Sequence, residues 1–113
     1  MVFLLRLVEQ SPSAPKRVQS RHWRMVAREH LRLNPVCAAC GSRSRVRPHH
    51  VVPVSVDPSR EFQSTNLLSL CESYEAGVNC HLFFGHGGKW DHWNPNAVAD
   101  AFTFRAARTL RPA

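Results

Sequence analysis

Four cysteines, arranged as two pairs around a histidine doublet, constrain this sequence more than any other feature. Cys37 and Cys40 lie three positions apart and are followed by Gly41, a spacing typical of a knuckle that presents two thiolates on a tight turn. Eight residues separate Cys71 from Cys80, and a loop of that length still brings two thiolates together at small entropic cost. The four cysteines can therefore form one closed tetrahedral site for a structural zinc ion.

The length of the chain makes such a metal site important for stability. With 113 residues, the sequence has room for one domain with a limited core, and eight prolines and five glycines divide it into short elements. Residues 1–8 are apolar apart from Arg6, but they are too few for a membrane span and lack the pattern of a signal peptide. We therefore expect a cytoplasmic protein without membrane association, where cysteines bind metal more often than they form disulfides.

The positive charge is concentrated in the first half of the chain. Residues 1–50 carry ten lysines and arginines against two acids, whereas residues 51–113 carry five against six, within a net charge of +7. Clustered arginines neutralise phosphates and release counterions, so nucleic acid is the first candidate partner. A solvated basic surface without a specific partner is the alternative.

The pattern of residues divides the first half into an arm and a helix. Two prolines and polar flanks predict an extended or disordered arm over residues 1–19, ahead of a single domain over residues 20–113. Residues 20–33 have helical periodicity, with Ser20 as the expected cap and Asn34 at the end. Arg24 and Arg28 belong to its basic face, which we expect either to contact phosphate or to remain solvated. His30 lies on the apolar side and is expected to be a packed core histidine.

Residues 42–70 predict a β-hairpin. Arg43, Arg45 and Arg47 alternate, which in a strand places all three on one face as candidate DNA contacts. Residues 46–56 are rich in β-branched side chains and predict the first strand, broken at Pro53. Residues 67–70 are the expected returning strand.

Two helical elements are expected after the hairpin. Residues 72–79 form an inserted loop whose acids suggest no specific role, and residues 79–84 predict a helix of about two turns that glycines bring to an end. A final helix is expected from residue 95 to about residue 110, with Asn94 as its cap. Four of its apolar side chains are expected to pack on the rest of the domain: Val98, Ala101, Phe102 and Phe104.

The order of these motifs resembles the HNH endonuclease family. Its marks are Cys-Ala-Ala-Cys-Gly, then His-His-Val-Val-Pro at residues 49–53, then Asn66, and then Asn-Cys-His at residues 79–81. The resemblance spans residues 20–93. It implies an α+β fold, namely a small ββα-metal (His-Me finger) core with a zinc knuckle and flanking N- and C-terminal helices. The departure from the family pattern is the longer loop between the last two cysteines.

The resemblance also implies a role for each residue of the site. His49 would bind a catalytic ion and His50 would be the general base, since adjacent residues of a strand point to opposite faces and imidazole titrates near neutrality. Asn66 would hold the loop and orient the base. His81 would be a second ligand. His86 is the expected third ligand, although it comes one residue later than in the family. Alternatively, His86 would support a metal ligand or contact phosphate.

The function implied is divalent-metal-dependent hydrolysis of DNA, either nicking or cutting both strands of a duplex. Mg²⁺, Mn²⁺, Ni²⁺ or Zn²⁺ could serve as the catalytic ion, beside one structural zinc. Small proteins of this layout are often carried by phages or prophages, where some assist terminase in DNA packaging, so a packaging protein is an implied partner. The alternative is a non-catalytic, zinc-stabilised DNA-binding module.

Overall fold

A computed structural model describes residues 11–14 and 20–109 of the chain. Most of the expected N-terminal arm, residues 1–10 and 15–19, therefore lies outside the described residues. Within the arm, Ser13 forms an isolated β-bridge with His92, and the Ala14 amide donates to the Asp91 carbonyl at 2.8 Å. This short piece of the arm is thus extended and fixed to the segment that precedes the last helix.

Helix α1 spans Trp23–Leu33 and ends, as expected, at Asn34, whose amide donates to the His30 carbonyl at 2.8 Å. The predicted start was wrong, because Ser20 precedes the helix and its side chain does not cap it. The Ser20 backbone amide instead donates to the Glu61 carboxylate at 2.8 Å. His30 is buried and bonds the Ser69 hydroxyl at 2.9 Å, which confirms it as a packed histidine of the core.

A two-stranded antiparallel sheet follows, formed by β1 (Val46–His50) and β2 (Leu67–Cys71). The register pairs His49 with Leu68 and Val46 with Cys71. Every residue of β2 is buried, as its apolar sequence predicts. The first strand is shorter than predicted, since the chain leaves the sheet after His50 and forms two 3-10 turns, Pro58–Arg60 and Ser64–Asn66.

The predicted arginine face of the first strand was also wrong. Arg45 has a φ of 53°, a left-handed conformation that no regular strand contains, and β1 begins only at the next residue. Arg43 and Arg45 therefore lie in the exposed turn that leads into the sheet, and only Arg47 is part of the strand.

Two helical segments complete the molecule. A single π-helical turn, His81–Gly85, replaces the short α-helix expected there, and helix α2 spans Ala97–Thr109. Helix α2 was predicted to begin at residue 95 but begins two residues later, at Ala97. Just before it, the Asn94 side chain accepts from the Asn96 amide at 3.0 Å. The packing of α2 was predicted only in part, because Ala101 and Phe104 face the core whereas Val98 and Phe102 are exposed.

The result is a small α+β fold in which the hairpin, the π-turn and α2 share one core. Its buried apolar side chains include Leu68 and Leu70 from β2, Phe84 from the π-turn and Ala97 from α2. The cysteines are part of the same core, so the metal-binding candidates lie within the folded body of the protein. Within residues 11–14 and 20–109, no helix has the length and apolar character that crossing a membrane requires.

Candidate metal centres

The structure brings all four cysteines into one cluster, referred to below as the cysteine cluster. The sulfur atoms of Cys37, Cys40, Cys71 and Cys80 lie within 4.8 Å of one another, and all four are free thiols. The knuckle contributes the first two, the end of β2 the third, and the residue before the π-turn the fourth. Gly41, at φ +79°, closes the knuckle in the left-handed conformation expected of it. This arrangement can hold a metal ion, and soft thiolates favour zinc.

The ionisation of the cluster shows why a cation suits it. A hydrogen bond with Cys80 lowers the pKa of Cys37 to about 4, and the same bond raises the pKa of Cys80. Burial, with the neighbouring sulfurs, raises the pKa of Cys40 to about 11. Thiols this close cannot all lose their protons by themselves, because the negative charge of each thiolate disfavours deprotonation of the next thiol. A divalent cation removes that opposition and binds the four as thiolates.

Three histidines form a second group, referred to below as the histidine triad. His49 comes from β1, His81 opens the π-turn and His86 follows it, and one ring nitrogen of each lies within 4.8 Å of the others. The ring centroids are 4.9 to 5.1 Å apart. His49 is 3% exposed, and its Nε2 is buried with no hydrogen-bond partner among the described residues. A buried imidazole nitrogen without a partner is costly unless it binds something, so the triad fits a metal ion.

The π-turn determines which residue lies beside His81. The amide of His86 donates back to the carbonyl of His81, the bond between residues five apart that defines a π-turn. A wider turn places residue 86, rather than residue 85, beside His81. Glycine at position 85 leaves room for His49, because a Cβ there would lie 2.9 Å from Nδ1 of that histidine.

Hydrogen bonds select the ring nitrogen that each outer histidine presents to the triad. Nδ1 of His81 bonds the Glu72 carboxylate at 2.9 Å, and Nδ1 of His86 donates to the His92 carbonyl at 2.7 Å. Both bonds hold the proton on Nδ1 and leave the lone pair on Nε2, the form that binds metals. Trp90 packs against both rings, at centroid distances of 5.2 Å and 5.0 Å.

Burial keeps His49 and His81 neutral. It is the main cause of the low pKa of His49, to which the neighbouring imidazoles His81 and His86 add. Burial also lowers the pKa of His81, although Glu72 acts in the opposite direction. Neutral imidazoles near pH 7 can bind a cation without first releasing a proton.

His50 lies outside the triad, on the other side of β1. Its Nε2 donates to the Glu61 carbonyl at 2.9 Å, and its ring stacks on Trp23 with centroids 4.3 Å apart. The lone pair is therefore on Nδ1. Burial lowers the pKa of His50, which keeps the ring neutral and able to accept a proton.

Asn66 holds the loop that carries the partner of His50. Its side chain accepts from the Val52 amide at 2.8 Å and donates to the carbonyls of Val52 at 3.0 Å and Arg60 at 3.2 Å. Asn66 thus ties residues 51–66 back to the end of the hairpin. It fixes the chain immediately before Glu61, whose carbonyl orients His50, so its action on the imidazole is indirect.

The arginines expected at a nucleic-acid surface are exposed and come from two parts of the fold. Arg24 and Arg28 lie on α1, and Arg43 and Arg45 lie in the turn before β1. Arg47 is also exposed, but its guanidinium approaches the Glu72 carboxylate at 3.5 Å.

Sequence reasoning missed several residues that support these groups. Glu72 was assigned no role, yet it bonds a triad histidine, and only its position directly after Cys71 could have suggested this. Arg105 donates to the Cys37 carbonyl at 3.2 Å, a hydrogen bond that connects α2 to the knuckle. Glu61 and Trp23 hold His50 through contacts between segments far apart in the sequence, for which the sequence carries no local signal.

Comparison of the chain with protein-family models, with curated proteins and with solved structures found no match.

Proposed function

We propose that this protein is a divalent-metal-dependent DNA endonuclease of the HNH type, with a ββα-metal core and zinc in its cysteine cluster. The observation that carries the proposal is the histidine triad, in which nitrogens of three imidazoles lie within 4.8 Å of one another and Nε2 of His49 is buried with no hydrogen-bond partner among the described residues. A zinc-stapled module that only binds DNA needs the cysteine cluster, but it has no use for a second group of ligands. The triad therefore favours an enzyme.

The residues of the chain divide the hydrolysis between two sides of β1. His49, His81 and His86 hold the ion, which when bound supplies positive charge that stabilises the phosphate as negative charge develops on it. His50 accepts a proton from the attacking water through Nδ1, because Nε2 is engaged with the Glu61 carbonyl. The water oxygen forms the new bond to phosphorus as the bond to the 3′ oxygen breaks, and the departing oxygen takes a proton from solvent. Glu61 and Trp23 keep the ring in place while it gains and loses that proton.

The cysteine cluster supplies rigidity rather than chemistry. It joins the knuckle, the end of β2 and the residue before the π-turn, three segments that a chain of this size could not hold together by core packing alone. His81 directly follows Cys80, so zinc in the cluster fixes one end of the turn that carries two triad histidines.

DNA is the proposed substrate because exposed arginines dominate the first half of the chain. Arg24, Arg28, Arg43 and Arg45 are exposed and free of the ion pairs that would neutralise them among the described residues. Contacts of this kind track the phosphate backbone without reading bases. We therefore expect binding that weakens steeply as salt is raised and that depends little on sequence.

The test uses protein that holds zinc in the cysteine cluster and no ion in the triad. Supercoiled plasmid is incubated with it while Mg²⁺, Mn²⁺, Ni²⁺ or Zn²⁺ is added singly. Wild type is compared with His50→Ala and with the control His22→Ala, which removes an exposed imidazole at the start of α1. We expect metal-dependent nicking or linearisation, a loss of about 100-fold or more in His50→Ala, and no change in the control.

Two results would reject the proposal. Cleavage that survives in His50→Ala would remove the base from the mechanism. Absence of cleavage with every ion, together with salt-sensitive binding of DNA, would instead identify a zinc-stabilised DNA-binding module.

A further inference from the structure

We propose that Glu72 is a positioning residue of the histidine triad, fixing the ring of His81 so that its second nitrogen faces His49 and His86. This inference rests on the proposed function, in which the triad holds a divalent ion. The carboxylate lies 2.9 Å from Nδ1 of His81 in a partly buried setting, with 21% and 15% of the two side chains exposed. A bond shielded in this way is less screened than one on the open surface.

Both oxygens of the Glu72 carboxylate are in use, so the side chain is itself held in place. Oε2 bonds His81, and Oε1 faces the guanidinium of Arg47 on β1 at 3.5 Å. A carboxylate oxygen accepts from an imidazole N–H, so the bond to Oε2 holds the proton of His81 on Nδ1 and fixes the tautomer.

The cysteine cluster sets the distance between the two partners. Glu72 directly follows Cys71 and His81 directly follows Cys80, and the sulfurs of these two cysteines lie within 4.8 Å of each other. The Glu72 amide also donates to the Arg45 carbonyl at 2.9 Å. Glu72 and His81 are thus each bonded to a cysteine of the same cluster. Their pairing therefore does not depend on the conformation of the loop over residues 73–79.

The consequence for the triad concerns metal affinity. A histidine whose remote nitrogen bonds a carboxylate is a stronger and better oriented ligand than one that bonds water, and loss of such a partner costs about 10- to 100-fold in affinity. His86 donates to a backbone carbonyl, and His49 approaches the backbone of Gly85. Glu72 adds a carboxylate, and with it negative charge, at His81.

The experiment measures binding of Ni²⁺ to the triad by calorimetry, without DNA, in protein that holds zinc in the cysteine cluster. Glu72→Ala and Glu72→Gln are compared with wild type and with Glu75→Gln, which removes an exposed acid from the same loop. We expect dissociation constants weaker by about 10- to 100-fold in Glu72→Ala, by less in Glu72→Gln, whose amide still accepts from Nδ1, and unchanged in Glu75→Gln. If Glu72→Ala loses zinc from the cluster, Glu72→Gln decides the question.

A double-mutant cycle separates positioning from general stabilisation. In the His81→Ala background, where there is no ring to orient, Glu72→Ala should weaken Ni²⁺ binding no further. A full additional loss in that background would overturn the proposal, as would Glu72→Ala affinity within twofold of wild type. If the wild-type triad binds no divalent ion, the proposed function and this inference both fail; normal wild-type binding with an unaffected Glu72→Ala overturns the inference alone.

Discussion

Replacement of Gly85 by alanine tests the geometry of the histidine triad without removing any ligand. A Cβ at this position would lie 2.9 Å from Nδ1, 3.0 Å from Cε1 and 3.1 Å from Cγ of His49. Gly85 is not among the glycines with positive φ, so alanine adds a collision rather than backbone strain. His49 is buried between the π-turn and the other two imidazoles, and its ring has little space into which it can retreat.

The size of the effect follows from these distances. Ordinary van der Waals contact begins near 3.4 Å, so the ring must shift by about half an ångström. Crowding of this kind in a packed core costs about 1 to 3 kcal/mol. Ligand sets tolerate a displacement of only about 0.5 Å, so we also expect the affinity of the triad for Ni²⁺ to fall by about tenfold or more.

Calorimetry with Ni²⁺ and thermal unfolding measure the two effects on the same samples. The matched control is Gly77→Ala, where φ is +86° and no atom lies within 4 Å of the added Cβ. That control should cost about 1 kcal/mol through backbone strain and leave Ni²⁺ affinity unchanged. Wild-type affinity in Gly85→Ala, or an equal loss of affinity in Gly77→Ala, would refute the reasoning.

Three further predictions concern other parts of the fold. Asn66→Ala removes three hydrogen bonds from a buried side chain, so urea unfolding should show a loss of about 2 to 3 kcal/mol, and a loss below about 0.5 kcal/mol would contradict the role of the residue. Binding of Co²⁺ to the triad should quench tryptophan fluorescence, and Trp90→Phe should remove most of the quenching while Trp93→Phe should not, since Trp90 packs on two triad rings. Burial lowers the pKa of His30 below 6.5, so the unfolded chain takes up a proton at this residue before the folded protein does. The stability that neutral His30 contributes is therefore fully present above pH 6.5 and is lost as the pH falls from there through the folded-state pKa. An NMR titration that gives His30 a pKa of 6.5 or higher would disprove this pH dependence.

The parts of the fold that the sequence predicted are those with a strong local signal. The leucine-rich stretch over residues 67–70 indicated β2, Asn94 and Pro95 marked the start of the last helix to within two residues, and the apolar side of α1 identified His30 as a core residue. The cysteine spacing likewise pointed to one cluster. Each of these patterns depends on a few neighbouring residues, which is why it can be read without the rest of the chain.

The errors have physical causes that no local pattern reveals. Alternating arginines predicted a strand, but the left-handed conformation of Arg45 ends that alternation before β1 begins. A short α-helix was expected over residues 79–84, but the sequence does not show that a π-turn forms there instead. Glu72 was given no role because its bond to His81 exists only once the cysteine cluster has brought the two chain segments together.

The proposed nuclease activity is tested most directly by relating cleavage to occupancy of the histidine triad. Metal-stripped protein is refolded with one equivalent of Zn²⁺ to fill the cysteine cluster, and Ni²⁺ is then titrated while plasmid cleavage and Ni²⁺ binding are followed together. We expect no cleavage after the first equivalent, then a rate that rises with the second ion and reaches a plateau at one Ni²⁺ per chain. Full cleavage with zinc in the cluster alone, or a filled triad without any cleavage, would contradict the proposal.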